Sequence, residues 1–473
     1  MPELTYTGGG TQASFIASAS GQIPTFPSQL NALIQQGFLK RELEEGLDSR
    51  LAYRARCARE LIPNRVGETF TFTRKSRLAP NLTPANPSTN SGLDNGLSSV
   101  TFNMEQYQAT LQQWGQTTDV DLLAEQAGIG DQVLAAARNN GVQAAQTMER
   151  LSRNALLQKY LSGNTYILSS PAPTTASIHV NDINGFQHTL VNGQLVSVSA
   201  TNPISVTEVP TAGGTQQTYT VTAASPDATN ISTTKTVDGS QIGISGTLTI
   251  TASTAPTANN SLIGSQAPRI IRQVGAMSPL EITAAHMLTT SLVMDAVALL
   301  RANAVPALRD GTYHCILDDF SMRQLIGDAD FKLMFESQYK SEAYVEQMIV
   351  KFLGCTYITS TEAPVQSALV SGGPVIRRPL VMGAGSLIEC DFEGMETYLR
   401  NSVIGGDVAK VELANGVVQV VRSPLDRWQQ FLSLSWFWVG GFAVPTDYTA
   451  YQSIIPTGST AALKRAVVLE VAG

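Results

Sequence analysis

The sequence predicts an α+β protein of several domains with an all-β module inserted in it, and three observations lead there. Helical and strand periodicities are segregated along the chain without regular βαβ alternation. The stretch from about Pro171 to Asn260 differs sharply in composition from what flanks it. At 473 residues the chain exceeds the ~250 to 300 residues at which single cores stop growing, so about three domains are expected.

Composition narrows the function classes. Charged residues make up only 15% of the chain, low for a soluble monomer, which implies that much of the surface is covered by something other than water. The balance of 31 basic against 38 acidic residues gives a formal charge of −7, so no global basic field draws the chain to nucleic acid. Cys57, Cys315, Cys355 and Cys390 lie far apart without paired spacing and read as free, mostly buried thiols of a reducing compartment. MPELTYTGGGTQASF lacks the basic and apolar regions of a signal peptide. The most apolar stretch, Phe431 to Val439, is strand-sized, so no membrane span is expected.

In chain order, the first thirty-odd residues are rich in Gly, Ser, Thr, Gln and Pro and read as an arm. From about Lys40 to Leu61, Leu43, Leu47, Leu51 and Ala55 recur at four-residue steps, predicting an amphipathic helix stopped by Pro63. GETFTFTRKSRL alternates Phe70 and Phe72 against threonines, and SSVTFNMEQYQATLQQW alternates Val100, Phe102 and Met104 against polar neighbours. These are two strands of a long hairpin, with Ala79 to Ser99, which holds three prolines and two glycines, as its polar tip. A parity change after Met104 indicates a bulge. A lone two-stranded ribbon is marginally stable in water, so this one must lean on its own body or on a neighbouring subunit.

Thr118, with Asp119 and Asp121 behind it, predicts a capped helix that breaks at Gly128 to Gly130 and resumes from Asp131 to about Leu161. Its stripe of Leu134, Ala137, Gly141, Ala145, Met148, Leu151 and Ala155 makes it a spine about 45 Å long. From Pro171 to Asn260 there is no Arg, Met, Cys or Trp, one lysine (Lys235) and 28 Ser plus Thr, with short alternating runs between turn residues. That is the pattern of an immunoglobulin-like sandwich. Leu280 to Ala304 reads as an apolar helix, YHCILDDF as a buried strand entering the short helix SMRQLIGD, SEAYVEQMIVKFLG as a helix, and TYITST as a strand. GGPVIRRPLVMGAGSLIECDFEG follows as loop plus strand. The tail is strand-rich, with a hairpin at Asn415 and Gly416.

No constellation of catalytic residues stands out. His179 and His188 lie in the module; adjacent His314 and Cys315 would point to opposite faces of a strand and cannot act as a nucleophile and base pair. Asp318 and Asp319 read as a helix cap rather than a metal or acid/base pair. Gly8 to Gly10 and Gly383 to Gly385 lack phosphate-loop spacing. Arg50, Arg54, Arg56 and Arg59 share their face with Glu42, Glu44, Glu45 and Glu60, which favours a solvated or subunit-contacting face over a DNA site. Lys75, near the hairpin tip, is a candidate for covalent joining to a neighbour only if a buried carboxylate lies beside it. No metal, nucleotide or other cofactor is expected.

The order of arm, helix, long hairpin, spine helix and α+β remainder resembles the Hong Kong 97-like capsid fold. GETFTFTRKSRLAPNLTP, WGQTTDVDLL and SPLDRWQQFLSLSWFWVGGFAV look like the branch of tailed double-stranded DNA phage coat proteins typified by phage N-four. The resemblance spans the chain apart from the module, which the bare fold lacks. It implies an N-terminal arm and helix at 1–62, an extended loop at 63–117, and a peripheral domain from 118–170 and 402–473. It implies an axial domain at 261–401, with the module at 171–260 between.

It further implies a structural, non-enzymatic major capsid protein that assembles with itself into hexamers and pentamers of an icosahedral head. DNA would be enclosed without sequence-specific binding. Portal and scaffolding proteins, and a decoration or cement protein, would be partners; the virion capsid, assembled in the host bacterial cytoplasm, would be the location. Phe70, Phe72, Val100, Phe102 and Met104 would make inter-subunit contacts from the extended loop, and Arg50 and Arg54 from the N-terminal helix. An encapsulin-like bacterial compartment would use the same fold. A glycan-binding surface protein would fit the module alone, and a hydrolase hidden in the axial region is the remaining alternative.

Overall fold

A computed structural model describes residues 38–48, 52–63, 67–75, 104–121, 132–169, 177–191, 194–211, 214–228, 236–237, 240–251, 256–265, 267–336, 351–392, 409–422, 428, 430–445 and 463–473. Two large sheets and a closed barrel carry the fold, joined by one long helix. The helix, Gln132–Tyr160, is the expected spine, and its 29 residues span about 44 Å. It buries Val133, Ala137, Ala144, Met148 and Leu156. Helix Phe38–Asp48 lies against it, and the crossing is so close that a Cβ on Gly141 would sit 2.5 Å from the Leu43 carbonyl oxygen.

The N-terminal helix is shorter than its periodicity predicts. Its described part is Phe38–Asp48; by Ala52 the chain is no longer helical, a turn of 3-10 helix lies at Arg54–Arg56, and Ala58–Ile62 is a strand paired in parallel with Ile388–Phe392. The expected four-residue stripe fails at Ala55, which is exposed. The spine's Glu149 accounts for the change of direction. Its carboxylate accepts hydrogen bonds from the backbone N–H groups of Ala52, Tyr53 and Arg54, at 2.8, 2.7 and 3.3 Å, which a continuing helix would have used internally.

One sheet has the order Ala58–Ile62, Ile388–Phe392, Phe431–Ala443, Val417–Arg422, Ala409–Ala414, with Gln112–Asp121 on the other side of Phe431–Ala443. The closing strand Phe431–Ala443 alternates as its sequence does, burying Leu432, Leu434, Trp436 and Trp438. Asn415 and Gly416 both have positive φ, 48° and 83°, as a two-residue hairpin turn of this kind requires. Thr118, Asp119 and Asp121 do not cap a helix. They extend strand Gln112–Asp121, whose pairing runs from Phe431↔Asp121 to Gly440↔Gln112. Ten backbone positions paired along a central strand outweigh a local capping preference.

The other sheet runs Lys351–Phe352, Cys355–Thr359, Tyr313–Leu317, Leu380–Met382, Ala466–Ala472, Ile376–Arg377, Val365–Gln366, with Ile270–Arg272 beside Ala466–Ala472. Helix Thr290–Ala302 covers it, packing Leu292, Val293, Val297 and Leu300 on Cys315, Leu317, Leu469 and Val471. The helix is shorter than Leu280 to Ala304; a capped 3-10 turn, Pro279–Glu281, precedes it. Asp318 caps the next helix, Asp319–Gly327, by accepting from the Ser321 N–H, as its sequence predicts. The last strand, grouped by sequence with the 402–473 unit, instead lies inside this second sheet. Of the expected helix SEAYVEQMIVKFLG, Lys351–Phe352 is a strand and the part before it lies outside the described residues.

The inserted module is a closed barrel, not a two-layer immunoglobulin-like sandwich. Its strands are ordered Gln217–Pro226, Gly246–Thr251, Ser177–Val180, Asn164–Ser169, Ser261–Gly264, Ile204–Val209, the last pairing with the first. Two of the six, Asn164–Ser169 and Ser261–Gly264, come from outside the composition boundary, so the module is wider than 171–260. Its own core joins Ile167, Ile178, Val206, Tyr219, Val221, Leu248 and Leu262.

Candidate assembly interface

The ribbon joins neither large sheet among the described residues. Among these residues Thr69–Lys75 and Met104–Thr110 pair only with each other, from Thr69↔Thr110 to Lys75↔Met104, and form a two-stranded sheet of their own. Thr69, Thr71 and Thr73 face solvent. Phe70 and Phe72 meet edge to face, with ring centroids 4.8 Å apart. Both are half-buried against Ile62, Ala109, Leu111, Ile388, Cys390 and Ala443 of the same chain. The base of the ribbon therefore rests on its own body at these two residues. Of the other loop residues, Val100 and Phe102 lie outside the described residues; the backbone of Met104 closes the described part of the ribbon.

Arg50 also lies outside the described residues. Arg54, expected to face a neighbour, points inward and is only 2% exposed. Its Nη2 donates to Glu389 Oε1 at 2.6 Å and to the Asn415 carbonyl at 2.8 Å, while Nε donates to the same carboxylate at 2.9 Å. The exposed Arg59 approaches the other Glu389 oxygen at 3.7 Å. Beyond Glu389 on the same strand, Asp391 accepts from Trp438 Nε1 at 3.0 Å. Burial first, and then the Glu389 carboxylate, push Asp391 up to about 6 against the opposing pull of Arg54. This cluster pins the N-terminal segment, strand Ile388–Phe392, the Asn415 turn and the closing strand to one another beneath the ribbon.

Sequence reading named Arg54 but not Glu149, Glu389 or Asp391. A signal existed in SLIECDF, where Glu389 and Asp391 alternate with Ile388, Cys390 and Phe392 as one face of a strand. What that face would meet was not legible.

The side chain of Lys75 and the run Gly8 to Gly10 lie outside the described residues. Nε2 of His314 lies 3.0 Å from Asp310, and Cys315 on the opposite face is fully buried, its thiol raised well above its ordinary value by burial. Among the described residues no group of three or more His, Cys, Asp or Glu is placed to hold a metal ion, and no helix is long and apolar enough to cross a membrane. The surface of the chain keeps large apolar side chains exposed, among them Trp428 (79%), Leu333 (71%) and Leu61 (63%), the last on strand Ala58–Ile62 at the edge of its sheet.

No protein-family model matches the sequence, and no curated protein matches it. Among solved structures the fold is similar to the capsid of Ralstonia phage GP4, at 10% identity over 90% of this chain and 92% of that one, with a TM-score of 0.48. It is similar to the capsid of cyanophage P-SCSP1u at 10% identity over 89% and 88%, with a TM-score of 0.44. The capsid of cyanophage Pam1 is similar at 9% identity over 86% of each chain, with a TM-score of 0.42. Each likeness spans most of both chains.

Proposed function

We propose that this chain is the repeating subunit of a closed protein shell, the major capsid protein of a tailed double-stranded DNA phage. One observation carries the reading: the Thr69–Lys75 and Met104–Thr110 ribbon is a sheet of only two strands that joins neither large sheet. Such a ribbon is marginally stable in water, and among the described residues its base packs on the body through Phe70, Phe72 and Ala109. A neighbouring copy supplies the rest of its support. The exposed Trp428, Leu333 and Leu61 are further apolar surface for copies to cover. The resemblance of GETFTFTRKSRLAPNLTP and the closing segment to phage coat proteins agrees with this geometry.

The mechanism is geometric. Each copy lays its ribbon on a neighbour, and repetition of that contact closes a symmetric head of hexamers and pentamers. Several interfaces of about 1,600 Å2, at about 25 cal/mol per Å2 of apolar area, multiply modest contacts into a kinetically locked shell. The net charge of −7 fits DNA enclosed without a sequence-specific grip. Scaffolding and portal proteins direct assembly in the host cytoplasm, and a decoration protein is a further partner of the finished head. The full chain, expressed alone and with its scaffolding protein, should give closed icosahedral particles by sedimentation and electron microscopy. A monodisperse monomer under both conditions overturns the proposal.

A further inference from the structure

His314, in strand Tyr313–Leu317, is shared by two partners from different parts of the chain. Arg56, in the 3-10 turn before strand Ala58–Ile62, donates from Nε to the ring's Nδ1 at 3.3 Å. On the other side of the ring Nε2 lies 3.0 Å from Asp310 Oδ2. An imidazole nitrogen that accepts carries no proton, so Nε2 holds the single ring hydrogen and donates it to the carboxylate. The ring is neutral in this arrangement.

Each partner is also held without the histidine. Arg56 Nη1 donates to the Ala52 carbonyl at 2.8 Å, which keeps the guanidinium along its own segment. Burial works against the charge on Arg56, and Glu149 of the spine and Asp310 both support it. Asp310 accepts from the hydroxyl groups of Thr312 and Thr356 at 2.7 and 3.1 Å and from the Thr312 N–H at 3.2 Å, and Lys351 Nζ lies 3.8 Å from it. Although burial pushes the other way, the bonds from His314, Thr312 and Thr356 hold the Asp310 carboxyl well below its ordinary value, so it stays ionised in mild acid. The two strands that flank His314 place Thr356 and Met382 opposite it, and neither residue titrates.

The two partners favour opposite protonation states of the ring. Histidine is the side chain that ordinarily changes charge between about pH 5 and 8. A second proton can go only to Nδ1, where it faces the Arg56 Nε–H, donor against donor and cation against cation. The same proton strengthens the bond to Asp310. We infer that His314 is a pH-sensitive clasp: neutral, it ties the N-terminal segment 52–62 to the second sheet, and protonated, it keeps Asp310 and releases Arg56. The clasp belongs to the folded subunit and does not depend on whether copies assemble.

Hydrogen exchange of the full chain, read by mass spectrometry, tests this. The amides of Arg56 and Cys57, which donate to the Tyr53 and Arg54 carbonyls at 3.1 Å each, report on the segment. After correction for the chemical rate, their protection should fall about tenfold between about pH 7.5 and about pH 5.5, the loss expected for one charge-assisted hydrogen bond. His314→Gln offers an acceptor and a donor without a titrating proton and should stay protected at both values. Arg56→Met should show the lower protection at both. Glu149, raised by burial, and Asp391 also titrate beside this segment, so a fall of equal size in His314→Gln assigns the response to them and overturns the inference. A wild-type segment equally protected at the two pH values overturns it as well.

Discussion

Arg54 and Glu389 meet in the interior with Nη2 and Oε1 2.6 Å apart, although 335 residues separate them in sequence. Both side chains are essentially excluded from solvent, at 1% and 0% exposure. The pair ties the strand-entering N-terminal segment to the sheet that supports the ribbon.

Removing one partner strands the other as a buried charge. Glu389→Ala should lower stability by about 3 to 5 kcal/mol. The double change Arg54→Met with Glu389→Met should recover most of that loss, because two apolar groups need no pairing. Denaturant titration of the single and double variants reads the coupling directly, and a double variant no better than Glu389→Ala would refute it.

Two carboxylates give opposite pH slopes. Although burial pushes the other way, the guanidinium groups of Arg272 and Arg378 hold Glu470 down at about 2. A carboxylate depressed in the folded state stabilises fully above its ordinary value of 4.5, and that contribution, on the order of 3 kcal/mol, is lost as pH falls toward 2. Asp391, raised from 3.8 to about 6, acts in the other direction: its ionised form costs stability above pH 6, and the cost is relieved as pH falls toward 3.8. Melting temperature against pH should show Asp391→Asn abolishing a gain between pH 7 and 4. Glu470→Gln should flatten the fall below 4.5.

The barrel makes a boundary prediction. Asn164 pairs with Ile263, so the two flanking strands bring the module's ends together. A fragment spanning 162–266 contains all six strands and should give a cooperative melt and dispersed amide signals. The fragment 171–260, cut where the composition changes, lacks two adjacent strands of the closed barrel and should not. Equal behaviour of the two fragments would count against barrel closure as the source of stability.

Phe72 packs on its own chain, so Phe72→Asp should destabilise the isolated subunit by about 1 to 3 kcal/mol or more, placing a carboxylate in an apolar contact. A subunit that melts as the wild type does would mean that Phe72 is not held there.

Local chemistry made part of this legible in the sequence. The ribbon strands, the spine helix, the Asn415–Gly416 turn and the Asp318 cap follow from alternation, periodicity and turn residues that act within a few positions. Strand Gln112–Asp121 was read only as far as Trp114; the rest was missed because its side chains are mostly exposed and polar, so it carries no apolar alternation, and only its pairing with the closing strand makes it extended. AVVLEVA at 466–472 is buried at every position, and without alternation its place in the second sheet had no signal. Barrel closure and the Arg54–Glu389 pair are long-range relationships, invisible to any window.

The most direct measurement of the central claim compares the full chain with a variant in which Ala79 to Ser99 is replaced by a short Asn-Gly turn. Both should melt at the same temperature as subunits, because the packing of Phe70 and Phe72 on the body is kept. With scaffolding protein present, electron microscopy should show closed shells from the full chain and none from the variant, whose ribbon no longer reaches a neighbour. Normal shells built by the shortened variant would contradict the account.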